Sequence, residues 1–210
     1  MQQKAVSFPS GKLTLWGYLY YPDLKGPFPA VVLLHPHPLY GGSMSNNVIR
    51  EVGSVLAEAD MIALMFNFRG VGKSTGTFDE GRGEGEDAAA ALDWLAQQPN
   101  VDAGKMGLCG YSFGGGITAR VGCEDSRVSA LAMIAPFFVV QHDLHCCRKP
   151  KFFITGEKDD VISREAISSA FRECPQPKEM KLYPQADHSW FGFEEAMARD
   201  VAGFFQKALR

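Results

Sequence analysis

GLCGYSFGGG, residues 107–116, is the stretch on which the reading turns. It ends an apolar run, KMGLCG (105–110), and leads into GGGITARVG (114–122), which reads as a helix. Within it, Gly110-Tyr111-Ser112-Phe113-Gly114 is a G-x-S-x-G between a strand and a helix. In that setting the serine sits on a tight, strained turn with its hydroxyl projecting from the end of the sheet. The flanking glycines present no side chain to collide with neighbouring backbone. The helix that follows turns its free N–H groups and positive dipole end toward any negative charge developing there. A glycine-rich strand-to-helix turn without chemistry would use the same letters, so the case depends on partners elsewhere.

A serine hydroxyl is a poor nucleophile and needs a base, which a carboxylate must orient. After a G-x-S-x-G turn these follow in the order serine, acid, histidine. KFFITGEKDD (151–160) places Asp159 and Asp160 just past an apolar strand, and KLYPQADHSW (181–190) places His188 just past the next. Asp159, three residues after Gly156, is the expected acid. Asp160 reads as a solvated or helix-capping carboxylate, and Asp187 as one facing solvent rather than the ring beside it. A tetrahedral oxyanion needs two N–H donors. The amide of Phe113 is one. The other is expected in HPHPLYGG (35–42), where Pro36 and Pro38 have no N–H. That leaves His37, with Leu39 and Tyr40 as alternatives.

Outward from these loops, strands and helices alternate. Strands are expected at AVSF (5–8) and KLTLWGYLYY (12–21), joined by a turn at Pro9-Ser10-Gly11. Further strands are AVVLLH (30–35), MIALMFNF (61–68), KMGLCG, SALAMIAPF (129–137), KFFITG (151–156) and KEMKLYP (178–184). Continuous apolar runs of this kind suit strands buried on both faces. Helical periodicity runs through 46–59, with Val48, Val52, Val55 and Leu56 on one face, through 85–98 up to Pro99, near 163–173, and through 193–209. The pattern is α/β: a mostly parallel sheet of about eight strands with helices on both faces, over a single domain spanning 1–210. Reactive groups in such sheets gather beyond the carboxyl ends of the strands.

Composition narrows the classes. Of 210 residues, 46% are apolar and 21% charged, enough for a large core. A net charge of −3 argues against a nucleic-acid surface. No apolar run is long enough for a bilayer span, and the N-terminus lacks the apolar centre of a signal peptide, so cytoplasm is the expected compartment. Cys109, Cys123, Cys146, Cys147 and Cys174 are odd in number and irregular in spacing, which reads as reduced thiols. The letters mark no interface stripe, and the oligomeric state stays open.

Two further motifs point elsewhere. Gly72-Lys73-Ser74 ends like a phosphate-binding loop, but the first glycine of that motif would fall at Asn67. No helix follows at once either; Thr75 to Gly81 is a glycine-broken loop. His35-x-His37 could suggest a metal, as could QHDLHCC, where His142, His145, Cys146 and Cys147 crowd together. The first pair is only two ligands locked between prolines, and the second reads as a loop with buried thiols and surface imidazoles.

LLHPHPLYGGSM, FNFRGVGKSTG, GYSFGG, GEKDD and ADHSW together resemble the α/β-hydrolase superfamily, over nearly the whole chain. More narrowly, the sequence is similar to small bacterial hydrolases related to dienelactone hydrolase and to X-Pro-peptidase-like esterases. RGVGKS (69–74) then corresponds to the glycine turn after the fourth strand of these proteins, with Arg69 either bracing loops or lying on the surface. Two departures stand out: His35-Pro36 where many relatives have His-Gly, and Ser112 where dienelactone hydrolase has cysteine. Only FVVQHDLHCCRK (138–149) occupies the position where many hydrolases insert a lid, so no cap domain is expected. Phe137, Phe138 and Val139 either line a wall of the site or pack in the sheet.

The implied activity is a serine hydrolase acting on small or short-chain carboxylic esters, needing neither metal nor organic cofactor. The expected partner is a small-molecule ester, with no nucleic acid and no membrane. Thioester or amide hydrolysis by the same residues, and a non-catalytic binding protein on the same fold, are the alternatives.

Overall fold

The computed structural model describes residues 2–138 and 144–210. Val139 and His142, named above, lie outside the described residues. Eight strands form one sheet: β1 (Gln2–Ser10), β2 (Leu13–Tyr21), β3 (Phe28–Leu34), β4 (Ile62–Asn67), β5 (Val101–Tyr111), β6 (Val128–Ile134), β7 (Lys151–Gly156) and β8 (Lys178–Tyr183). Among the described residues the helices are α1 (Asn47–Glu58), α2 (Arg82–Ala96), α3 (Phe113–Glu124) and α4 (Arg164–Glu173), which connect strands, and α5 (Glu194–Ala208), which follows β8. The strand order is β1-β2-β4-β3-β5-β6-β7-β8, antiparallel from β1 through β2 to β4 and parallel from there to β8.

The central strands are apolar along their length because both faces are covered. Ala30–Leu34 of β3 and all of β4 are buried. Helices α1 and α5 pack on each other against one face, while α2 and α3 pack on the other. In α1, Val48, Val52, Val55 and Leu56 are buried as their spacing requires, and Asn46 caps the helix by accepting the Val48 and Ile49 N–H groups. No cap domain is present among the described residues.

Several boundaries differ from the sequence expectation: β5 begins at Val101 rather than 105, and three elements differ for visible reasons. Strand β6 ends at Ile134 rather than 137, because Ala135 adopts φ 41° and Pro136 has no N–H for the ladder. Helix α2 begins at Arg82, before the expected 85, and ends at Ala96, short of Pro99. The fully buried Glu84 carboxylate starts it by accepting the N–H groups of Asp79 (3.0 Å) and Gly81 (2.8 Å). Finally, β1 runs through Pro9 and Ser10, and the reversal falls on Gly11 at φ 57°.

Candidate active site

Ser112 joins β5 to α3 with φ 55° and ψ −116°, a left-handed φ that a non-glycine residue holds only under constraint. The constraint is local packing. A Cβ on Gly110 would lie 2.1 Å from the Gly114 carbonyl oxygen, and one on Gly114 would lie 2.2 Å from that of Leu34. Both positions must therefore be glycine for strand and helix to approach this closely. Backbone bonds complete the turn: the Ser112 N–H donates to Ile134 O (2.9 Å), and Ser112 O accepts from Gly116 N–H (3.2 Å) and Phe137 N–H (2.9 Å).

The loops after β7 and β8 bring two more side chains to this turn. His188 Nε2 stands 3.2 Å from Ser112 Oγ, and His188 Nδ1 stands 2.8 Å from Asp159 Oδ2. The other carboxylate oxygen, Asp159 Oδ1, accepts the N–H groups of Val161 (3.0 Å) and Ile162 (2.8 Å). Burial works to raise the Asp159 carboxyl, but the bonds from His188, Ile162 and Val161 outweigh it and hold the group below the usual carboxylate range. With Asp159 accepting at Nδ1, the ring presents Nε2 as a proton acceptor toward Ser112. Asp160 is exposed and lies outside this chain of bonds. Asp187 accepts from Ser189 N–H (2.9 Å) and Trp190 N–H (3.1 Å), so it shapes its own turn and leaves the neighbouring ring alone.

Tyr111 belongs to the site and was not singled out from the sequence. Its hydroxyl donates to the backbone carbonyl of His188, and its ring lies 5.2 Å from the His188 ring. Burial, then the charges of Asp159 and Asp187, push its hydroxyl well above the usual tyrosine value, so it stays a donor. The only sequence signal was its place as the first variable residue of the G-x-S-x-G.

As the first residue of α3, Phe113 has an N–H without a carbonyl one turn back to receive it. The loop after β3 approaches from the side. The His37 ring packs 4.9 Å from the Phe113 ring and 4.9 Å from that of Phe78. Within that loop, Leu39 N–H donates to His37 Nδ1 (3.2 Å) and Tyr40 N–H to His37 O (3.1 Å). Both alternative donors are thus spent on the turn, leaving the His37 amide between two prolines. His35, fully buried, has both ring nitrogens committed. Nδ1 donates to Pro36 O (2.6 Å) and Nε2 accepts from Phe68 N–H (3.1 Å). Burial lowers its pKa to about 4, against the opposing bond to Pro36, so the ring is neutral at pH 7.

The metal reading of His35-x-His37 finds no support in these contacts, and that of QHDLHCC includes His142, which lies outside the described residues. His35 has no free nitrogen for an ion. His145 lies against Glu173, with Nδ1 3.0 Å from its carbonyl oxygen. Among the described residues no cluster of three His, Cys, Asp or Glu side chains is arranged to hold a metal. The FNFRGVGKSTG loop serves as a brace. Ser74 Oγ donates to Asn67 O (2.7 Å), and Gly70, Gly72 and Gly76 take φ of 75°, 58° and 90°. Arg69 grips both oxygens of the buried Asp87 carboxylate at 2.9 and 3.1 Å and also reaches Glu86 (3.1 Å). Arg69 is therefore a loop clamp rather than a surface charge.

Residues 14–141 match the family described as X-Pro dipeptidyl-peptidase (S15 family). The chain belongs to this family. An uncharacterized protein of Rickettsia prowazekii is 34% identical to this S15 chain over 170 residues, covering 76% of the chain and 71% of the relative. A thiohydrolase of Aspergillus aculeatus is 26% identical over 185 residues, 86% of the chain and 55% of the relative. The S15 chain thus spans only about half the length of that fungal protein. Among solved structures, an α/β serine hydrolase homologue from Coxiella burnetii superimposes with a TM-score of 0.80 at 30% identity, over 96% of this chain and 95% of that one. An α/β serine hydrolase without a lid from Xanthomonas campestris gives 0.80 at 26% identity, over 100% and 94%. The S15 chain is accordingly an α/β hydrolase, with no cap domain among the described residues. Among the described residues no helix is long and apolar enough to cross a membrane.

Proposed function

We propose that the protein is a serine hydrolase that cleaves carboxylic esters with small or short acyl groups. The observation that carries this reading is the continuous bond chain Ser112 Oγ–His188–Asp159, at 3.2 and 2.8 Å. His188 Nε2 takes the Ser112 proton as Oγ attacks the ester carbonyl, and Asp159 holds the ring and stabilises the imidazolium. The Phe113 and His37 amides receive the oxyanion. His188 then passes its proton to the leaving alcohol, and a water deprotonated by the same ring cleaves the acyl-enzyme.

Acyl size follows from exposure. In the loops that carry the site, Leu39 (68% exposed), Tyr40 (87%), Val161 (63%) and Phe191 (74%) face solvent, while Tyr111, Phe113, Ile162 and Trp190 are buried. An open apolar rim holds a short chain at its edge and gives a long one no tunnel in which to bury methylenes.

The test is turnover on aryl esters of graded acyl length, with Ser112→Ala as control. Short acyl groups are expected to turn over fastest, and the variant to lose about four to six powers of ten in kcat/KM. Unchanged hydrolysis by Ser112→Ala would refute the reading. A fluorophosphonate probe should label Ser112; failure to label would favour the non-catalytic alternative. Thioester hydrolysis is the second reading, supported by the likeness to a protein named as a thiohydrolase. Because the family's description names a peptidase, an amide completes the substrate panel.

A further inference from the structure

The loop that carries His188 is bent against the ordinary preference of its backbone. Trp190 and Gly192 take φ of 62° and 82°, in the left-handed region, which Trp190 holds only under constraint. The Trp190 ring is fully buried, 5.3 Å from that of Tyr183. Three successive carbonyls of the loop each receive a donor: Tyr111 hydroxyl donates to His188 O, Asn47 Nδ2 to Ser189 O (3.0 Å), and Phe193 N–H to Trp190 O (2.9 Å). Tyr111 ends β5 and Phe193 belongs to the loop itself, whereas Asn47 reaches in from α1.

Asn47 is the first residue of α1, at the end of the segment that follows β3. Its Nδ2 donates to Ser189 O and also to Glu194 Oε1 (2.9 Å). Both partners are acceptors, so the amide can present only its nitrogen to them. Glu194 opens α5, and its other oxygen, Oε2, accepts the Gly192 N–H (2.7 Å). Asn47 and Glu194, bonded to each other, therefore grip the loop at Ser189 and again at Gly192. Burial works to raise the Glu194 carboxyl. The bonds from Asn47 and from the backbone N–H groups of Glu194, Gly192 and Phe193 outweigh it and hold the group below the usual carboxylate range. Glu194 thus stays an acceptor for both partners at neutral pH, at the helix end that favours negative charge. Ser112, by contrast, is fixed by the backbone around it. The 3.2 Å between its Oγ and His188 Nε2 depends on how firmly the histidine loop is held.

We propose that Asn47 and Glu194 are positioning residues for His188: together they clasp its loop between α1 and α5 and hold the ring at hydrogen-bond distance from Ser112. The proposal rests on the serine-hydrolase reading of Ser112 and His188. Asn47 acts through the Ser189 carbonyl, in the residue next to His188, and Glu194 acts through Asn47 and the Gly192 N–H. Because α1 begins a few residues after the His37 loop, the same clasp ties the proposed oxyanion side of the site to the side that carries the base. A base that drifts from its place takes the Ser112 proton less readily, while the substrate binds as before. The loss from a broken clasp therefore falls on kcat rather than on KM.

Asn47→Asp tests this at constant side-chain size. It removes both donated bonds and sets one carboxylate against another, while an acid in the first turn of α1 suits the helix dipole and keeps the helix itself intact. Amide hydrogen exchange of the folded full-length protein, read by mass spectrometry, should quicken over residues 187–193 by about threefold or more, with α3 exchanging as in the wild type. On a short-chain aryl ester kcat should fall about tenfold, with KM within about twofold of the wild-type value. Adding Glu194→Gln reverses the polarity of the contact: the new amide donates to the new carboxylate, and its oxygen still accepts from Gly192 N–H. About threefold of the lost kcat should return, with Ser189 O still short of its donor. The proposal is overturned if exchange over 187–193 stays at the wild-type rate, or if it quickens while kcat holds, which would make the clasp a structural tie alone. It is also overturned if the loss appears in KM, or if the second substitution restores nothing. Ser112→Ala separates this outcome from the hydrolase reading. Wild-type turnover in that variant removes the reading and the positioning role with it, whereas an inactive Ser112→Ala beside a fully active Asn47→Asp removes the clasp alone.

Discussion

The Ser112 turn and the loop after β3 stand side by side, yet they are held by different means. Around Ser112 the backbone does the holding: a left-handed φ, two glycines without room for a Cβ, and main-chain bonds to Ile134, Gly116 and Phe137. From His35 to Tyr40 two imidazoles do it, one reaching Phe68 and Pro36 and the other Leu39. The first arrangement is indifferent to pH, because nothing in it titrates near neutrality. The second depends on a buried histidine remaining uncharged. Two loops that converge on one site should therefore fail under different stresses.

The severest break is Gly114→Ala. Its Cβ would meet the Leu34 carbonyl at 2.2 Å, so β3 and α3 must part. A loss of roughly 3 kcal/mol in stability is expected, measured by denaturant melting. Ester turnover should fall by about a hundredfold, as the hydroxyl moves relative to His188. Wild-type turnover with an unchanged melt would mean that the close approach is not required.

Acidification should strain the other loop. The His35 pKa is lowered to about 4 when folded, whereas an unfolded histidine titrates near its ordinary value of 6.5. Between those values the unfolded chain binds more protons, so stability falls as pH drops through this window and the loss levels off below about pH 4. The contribution is on the order of 2–3 kcal/mol, read from urea melts at pH 7 and pH 4.5. His35→Phe removes that slope but leaves Phe68 N–H and Pro36 O unpaired, so it should be less stable at pH 7. Identical pH slopes in the two proteins would assign the loss elsewhere. Asp159, with a depressed carboxyl, contributes stability above the unfolded carboxylate range that is lost only at lower pH, as its folded value is crossed.

The smallest expected effect sharpens the comparison by removing a single tie between the β5 end and the histidine loop. Tyr111→Phe deletes the bond to the His188 carbonyl and keeps the ring. About 1 kcal/mol of stability and less than tenfold in kcat should be lost, with KM nearly unchanged. A larger fall in kcat would mean that the hydroxyl has a role beyond holding that loop.

The same contrast explains what could be read from the letters. Elements governed by backbone rules were legible. Strand β7 falls on KFFITG as expected, α1 carries its apolar face, and His188 comes within hydrogen-bond distance of both Ser112 and Asp159. Other contacts that side chains make across distant segments were not. Glu84 starts α2 early by capping backbone that precedes it. The Leu39 and Tyr40 amides are withdrawn by His37, and Tyr111 reaches across to His188. Lys151 lies in an apolar strand, and nothing in its neighbours' letters says that three carbonyls would enclose it. Each of these depends on where another loop ends, which local periodicity does not encode.

The two donors on Ser112 O have a geometric corollary. In a trans peptide the oxygen and the amide hydrogen point in opposite directions from the same plane. Gly116 and Phe137 grip that oxygen, so they also set the heading of the Phe113 N–H across the bond. The dipole is fixed before any ligand arrives, which is what the proposed oxyanion role requires of it.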